Sequence, residues 1–367
     1  MVRSIHSVAM RDVAVWILHP EPGAGAGSLE RWVAAERSRI ARRHRDGFLH
    51  AGAATAEIVS GPPDDTSFGA RLRGLLEEAR PHPGGAIVLG SGAVPLASIR
   101  DRRSFVAAAA AATPAALANN RYSADIIAIA CAESLLDLPD LPADNALPRW
   151  LEEVAGYHVD DFRNRWRLAF DVDGPLDVLL MGRAGEPTVG DVGTARARLR
   201  DVAAIAADRR AELVVAGRTS ASTLRWLETA ANARVRALVE ERGMRAASVL
   251  AQAGDRSGSA RRPASVLGLL LDRDGPASLG GHLERLGDAA VVDARVLLAH
   301  RFGSDERGWP PAEDRFASDL LLPDRVVDPW LRELTASAAG ARIPVVLGGH
   351  TLVGPGLRLL LRTSRWT

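Results

Sequence analysis

The stretch Arg167–Asp177, RLAFDVDGPLD, carries most of the fold reading. Arg167–Val172 reads as an apolar strand that runs into Asp171 and Asp173. Residues two apart on a strand face the same way, so Asp171 and Asp173 are expected to project together where the strand ends. Gly174 permits a turn, and Pro175 suits the first turn of a helix over Leu176–Met181. A strand end, two carboxylates and a helix N-terminus suit a metal–phosphate group. Carboxylate oxygens bind hard Mg²⁺ or Mn²⁺, and helix amides favour a phosphate. The structural alternative is that Asp173 only caps the helix while Asp171 is solvated or paired.

Upstream of this stretch, Val13–Leu18, Thr55–Val59, Ala86–Leu89 and Ile126–Cys131 read as strands. Leu29–Arg45, Phe68–Ala79, Arg103–Ala112 and Ala146–Val154 read as helices. Such alternation predicts an α/β fold with a largely parallel sheet. Arg183–Gly193, carrying Gly, Pro and Thr, reads as a linker, which divides the chain into 1–185 and 186–367 with a boundary near Gly185. In the second part Glu212–Ala216, Val235–Val239, Ala289–Asp293 and Ile343–Leu347 read as strands. Ala195–Arg210, Ser222–Ala231 and Val326–Ala338 read as helices, so a second α/β domain is expected. Gln252–Pro263 is polar and Gly-rich and reads as a mobile loop.

Composition bounds the function. With 367 residues, 47% of them hydrophobic, the chain supplies cores for two domains and is not disordered as a whole. Its 46 basic residues balance 45 acidic ones, so no nucleic-acid partner is expected. No apolar run reaches the roughly 18–20 residues that span a membrane. Met1–Met10 has no long apolar region, so neither a membrane partner nor a secretory signal is expected. Cys131 is the single cysteine, which rules out a disulfide within the chain and fits a cytoplasmic location. There is no lysine at all, which excludes a Walker-type phosphate lysine and Schiff-base chemistry.

Three further segments suit ligands. In Pro22–Ser28, PGAGAGS, Gly23, Gly25 and Gly27 follow the first strand and precede a helix, a place for a phosphate. In Ala86–Leu96, a buried strand ends in Gly90, Ser91 and Gly92, where a ligand can approach the backbone. This does not match the dinucleotide fingerprint. Asn119, Asn120 and Asp125 lead into the strand at Ile126. That cluster reads equally as a substrate site or as a loop capping its own backbone.

The order of strand, Gly-rich loop, helix, IVLGSGAVPL, NNRYSADIIAI and FDVDGPLDVLL resembles the GT-A-fold nucleotidyltransferases. The likeness is to the MobA-like and phospholactate guanylyltransferase groups and spans about residues 10–182. It implies a three-layer domain with a mostly parallel sheet and a nucleoside triphosphate as substrate. Phe170–Asp177 is similar to the group's D-x-D-T-P-x-D-L. The resemblance gives Asp173 the role of metal ligand, with Asp171 second, and sets Asn119 and Asn120 near the substrate. The chain departs from the pattern in two places. The first loop lacks the Arg and Lys that hold the triphosphate, leaving Arg31 as a substitute. The middle strand ends in Gly90-Ser91-Gly92 without the metal-binding Asp.

The second half adds His350 on a Gly turn after a strand, His300 after the apolar Val296–Ala299, and Asp314, Arg315 and Asp319 in an expected loop. In open α/β sheets ligands sit beyond the carboxyl ends of strands, so these residues suit a metal or an acid–base pair. No H-x-H or H-E-x-x-H spacing is present, which favours surface or capping histidines. Three functions remain open: a metal-dependent nucleotidyltransferase acting on a small phosphorylated metabolite, a non-catalytic nucleotide- or sugar-phosphate-binding protein, and a glycosyltransferase using Asp171-x-Asp173.

Overall fold

The computed structural model describes residues 12–62, 64–79, 82–182, 192–240 and 263–362. The expected loop Gln252–Pro263 lies outside the described residues except at Pro263, and so does the Gly185 boundary. The chain divides into two compact units. The first takes Arg37–Leu168 and residues up to Glu21; the second takes Pro22–Glu36 and most of the chain from Ala169.

The first unit is built on six strands: β1 (Val13–Pro20), β2 (Thr55–Gly61), β3 (Gly85–Gly90), β4 (Ala115–Ala118), β5 (Ile126–Ala130) and β6 (His158–Asp161). Their order is β2-β1-β3-β5-β4-β6. The pairs β1–β2, β1–β3 and β4–β6 are parallel, while β5 runs antiparallel to both β3 and β4. The fold is thus α/β with a mostly parallel sheet, as the alternation predicts.

Burial on both faces explains the apolar runs. On one face Ala14, Trp16, Val88 and Ile129 pack with Leu72 and Leu76 of α2 (Phe68–Glu78), and Leu147 and Leu151 of α4 (Leu147–Glu153) join that core. On the other, Val15, Ile17, Ile87 and Ala128 pack with Ala41 and Phe48 of α1 (Ser28–His50) and with Phe105 and Val106 of α3 (Ile99–Ala109). Three layers result. α3 opens on a reciprocal cap: Ser98 Oγ accepts the Asp101 amide at 3.2 Å, and Asp101 accepts the Ser98 amide at 2.8 Å.

The expected strand Arg167–Val172 is a correction. Trp166–Ala169 forms a 3₁₀ turn, and Phe170–Asp173 belongs to no sheet. Burial does alternate along this segment, since Leu168, Phe170 and Val172 are at most 1% exposed. Alternate burial along an extended segment mimics a strand even when no neighbour supplies a hydrogen-bonded ladder. The following helix is present as α5 (Pro175–Leu180).

The second unit holds a parallel four-stranded sheet: β7 (Glu212–Gly217), β8 (Arg234–Val239), β9 (Ala289–Asp293) and β10 (Val345–Gly348), in the order β10-β9-β7-β8. Its helices are α6 (Gly193–Ala207), α7 (Ala221–Ala230), α8 (Val266–Asp274), α9 (Leu279–Glu284), α10 (Ala294–Phe302), α11 (Ala312–Asp319), α12 (Pro329–Ala339) and α13 (Leu357–Leu360). The chain leaves β7 to form β8 on one side and then β9 on the other. That reversal is a topological switch point, where open α/β sheets bind ligands. One expectation is corrected in this unit. Asp314–Asp319 is not a loop but most of α11, with Asp314, Phe316 and Ala317 facing inward. Val296–Ala299 lies within α10, and His300 therefore stands in the last turn of that helix.

Candidate functional site

The carboxyl edge of the second sheet gathers charge. Asp293 ends β9 beside Gly348 of β10. Its side chain is fully buried, and Arg218, the residue after β7, holds it with Nε to Oδ2 at 2.6 Å and Nη2 to Oδ1 at 3.0 Å. The same carboxylate accepts the Arg295 amide at 3.2 Å, capping α10. Gly217 is required here: its φ is +128°, and an added Cβ would lie 2.3 Å from the Asp293 Cβ. The switch point of the sheet is therefore occupied by an arginine–aspartate fork.

Arg295 extends the cluster inward. Its two terminal nitrogens each lie 2.6 Å from an oxygen of Asp319, at the end of α11. Burial alone would lower the guanidinium pKa, but Asp319, Asp293 and Asp177 outweigh it and hold Arg295 charged. Burial pushes the Asp319 carboxyl up while the Arg295 fork pulls it down. With an arginine that stays protonated and two 2.6 Å contacts, the pair is ionic.

Asp177, the last residue of the decisive stretch, lies in the same unit. It accepts the Asp173 amide at 3.0 Å and the Gly174 amide at 2.9 Å, closing the start of α5. Burial first, then the Asp173 and Asp319 charges, push its carboxyl up to about 8, against those two amides. Asp319 comes so near that a Cβ on Gly174 would sit 3.1 Å from its Oδ2. Burial and the neighbouring acids thus favour the protonated form of Asp177, a role the local pattern did not signal.

The candidate residues separate as follows. Asp171 is half-buried and accepts the Val172 amide at 2.8 Å, while its backbone carbonyl accepts the Thr351 hydroxyl at 3.2 Å. Asp173 is half-exposed, with its Oδ2 3.7 Å from Nδ1 of His350. Among the described residues the structure thus brings together two candidates far apart in sequence, Asp173 and His350, beside the acid stretch. Among the described residues no group of three or more His, Cys, Asp or Glu side chains is arranged to hold a metal.

The Gly-rich loop leads to a helix start that already carries an anion. Glu313 of α11 accepts the Leu29 amide at 3.0 Å, the Glu30 amide at 3.1 Å and the Ser28 hydroxyl at 3.4 Å. Arg325 bridges the same Glu313 at 2.8 Å and Ser28 at 2.7 Å. A Cβ on Gly27 would meet the Glu313 carboxyl at 2.1 Å, so this glycine admits the carboxylate. Gly23 and Gly25 are exposed with open space around them, and Arg31 is exposed. Glu313→Ala is expected to cost about 1–2 kcal/mol, as for loss of a helix cap. Urea unfolding measures it; a loss under about 0.5 kcal/mol would mean that water replaces the carboxylate.

In the first unit, Ser91 is buried and its hydroxyl lies 3.0 Å from Nδ1 of His19, between Gly90 and Gly92. Burial, then the Arg37 charge, lowers the His19 pKa. Asn119 is a bracket: its Oδ1 accepts the Asp125 amide at 2.9 Å, and its Nδ2 donates to Asp125 at 2.7 Å and to the Leu168 carbonyl at 2.9 Å. Asn120 accepts the Tyr122 amide at 3.0 Å, a local turn. Of the two readings of this cluster, these bonds are those of the loop that caps its own backbone.

The remaining second-half candidates are structural in their contacts. Nδ1 of His300 accepts the Ser265 amide at 3.1 Å and Nε2 donates to Asp272 at 3.0 Å, which fixes its tautomer. Asp314 accepts the Val327 and Asp328 amides at 2.9 and 2.7 Å. Arg315 stacks over Trp309 and pairs with Glu306. Sequence reasoning missed Asp177, Arg218, Arg295 and Glu313 as participants and named Asp293 only as a strand end. Strand ends at Ala216 and Asp293 were legible, and the carboxyl-edge rule applied just beyond the first points to Arg218.

Compared with known proteins, no family model and no curated protein matches this chain.

Proposed function

We propose that the chain binds a nucleotide or sugar phosphate without turning it over, on the frame of a GT-A-like nucleotidyltransferase. The observation that carries the reading is Glu313 on the first amides of α1. In the transferase likeness those amides would help cradle a triphosphate. Here a carboxylate takes them, and a second anion beside it is repelled. The missing lysine and the Gly90-Ser91-Gly92 strand end support the same reading. The three-layer first unit, with its single antiparallel strand β5, supports the GT-A-like frame. The switch point of the second sheet, beside Gly217 and Arg218, is the place its topology favours for a phosphate, which would draw Arg218 from its fork with Asp293.

The test is thermal shift with nucleoside mono-, di- and triphosphates and sugar phosphates, with and without Mg²⁺ or Mn²⁺, on wild type and Asp173→Ala. A ligand that binds only the folded state raises the midpoint by mass action. The expected result is a rise that survives chelation and Asp173→Ala, with no pyrophosphate released. Pyrophosphate release lost in Asp173→Ala would establish the metal-dependent transferase instead, with Asp173 and Asp171 as metal ligands. Nucleoside diphosphate freed from a nucleotide sugar would establish a glycosyltransferase. No rise with any phosphate ligand would overturn the binding reading.

A further inference from the structure

A cavity of about 500 Å³ opens in the first unit, on the face of the sheet that carries α2. It lies toward the amino ends of β1 and β2, away from the carboxyl edge where a transferase-like substrate is expected. Its volume is within the range of small-molecule sites. β1 and β2 pair in register, with Ala14 opposite Thr55 and Trp16 opposite Glu57, so these four side chains share one face. Leu75, Glu78 and Ala79 of the α2 end supply the facing wall.

The lining has two chemical parts. Trp16 and Leu75 give it an apolar floor and wall. Trp16 is only 4% exposed, and its indole N–H donates to no acceptor among the described residues. An indole nitrogen is a donor only, so this group is open to an acceptor offered by a molecule in the cavity. Asp12, Glu57 and Glu78 ring the cavity with three carboxylates. None of the three forms an ion pair with a basic side chain among the described residues. His82 also lines it, with Nδ1 donating to the Leu76 carbonyl at 3.0 Å.

We propose that this cavity is a binding site for a small organic cation, an amine or amidine on an apolar body that also carries a hydrogen-bond acceptor. The carboxylates set its charge, Trp16 and Leu75 take the apolar body, and the Trp16 N–H takes the acceptor. A cation beside an indole gains further from the ring's quadrupole. Anions are repelled by the same three carboxylates. The site is independent of any nucleotide at the switch point.

Isothermal titration of the full chain tests this with tyramine and agmatine as cationic probes, benzyl alcohol as a neutral one and benzoate as an anionic one. Tyramine and agmatine are expected to bind, and benzoate is not. Glu57→Gln and Glu78→Gln, both at exposed positions, are expected to weaken tyramine about fivefold each, the size of a partly exposed ion pair. Trp16→Phe removes the N–H but keeps an aromatic ring, and it is expected to weaken tyramine more than agmatine. The unfolding midpoint of each variant without ligand shows that it is folded. Absence of heat with both cations at millimolar concentration would overturn the proposal. So would equal binding of benzoate, or cation binding unchanged in both Gln variants. If Trp16→Phe fails to fold, the two Gln variants decide the outcome alone.

Discussion

Arg295→Met is expected to cost about 3–5 kcal/mol of folding stability. The change keeps an unbranched side chain of similar length and removes only the guanidinium. Asp319, which is buried and receives both Arg295 contacts at 2.6 Å, is then left without its cation. Asp177 and Asp293 lose a neighbouring positive charge at the same time. Most of the cost is the uncompensated buried carboxylate rather than the value of the pair. The double variant Arg295→Met/Asp319→Leu therefore recovers much of the loss. Urea unfolding at constant m-value measures both. A single-variant loss below about 1 kcal/mol would mean that water reaches Asp319 and that the pair is not enclosed.

The second large effect is a pH dependence that runs opposite to ordinary acid unfolding. The Asp177 carboxyl titrates near 3.8 when unfolded and is pushed up to about 8 when folded. Between those values the folded chain holds a proton that the unfolded chain has released. The folded state then binds more protons, so stability falls as pH rises across this window. The part due to Asp177 is fully present below the unfolded value and lost as pH passes the folded one. Its size is on the order of a few kcal/mol for a fully buried carboxyl. Asp177→Asn keeps an oxygen for the Asp173 and Gly174 amides and cannot ionise. It is expected to flatten the fall between pH 5 and 8 and to exceed wild type in stability at pH 8. Parallel pH curves for the two proteins would show that Asp177 is ionised throughout.

Burial on both faces made the first sheet legible. β1, β3 and β5 are buried on both faces and therefore read as unbroken apolar runs. β4 and β6 escaped because Ala115–Ala118 has no β-branched residue and His158–Asp161 is polar at the edge of the sheet. Arg167–Val172 shows the reverse failure, a pattern of burial with no ladder behind it. α11 was hidden because its first residue follows Pro310 and Pro311, which read as loop, although Pro is at home just before a helix.

The site was less legible for a physical reason. Sequence periodicity reports which side of an element is buried, whereas partners such as Asp173 and His350 are joined by tertiary packing. Asp319 was named, but its partner Arg295 lies 24 residues upstream on another helix, where no local pattern points to it. Asp177 was read only as part of a motif. Its burial among other acids, which favours its protonated form, is a property of the packed unit.

The carboxylate on α1 also sets a clock for biosynthesis. Leu29 and Glu313 are separated by 284 residues. At about 5–20 residues per second, roughly 15–60 s pass between synthesis of the helix start and synthesis of the group that satisfies it. During that interval the amides at Leu29 and Glu30 have only water or a soluble anion to accept their hydrogen bonds. A nascent chain stalled before residue 313 should thus hold phosphate at a place where the finished protein holds its own glutamate, and release it on completion.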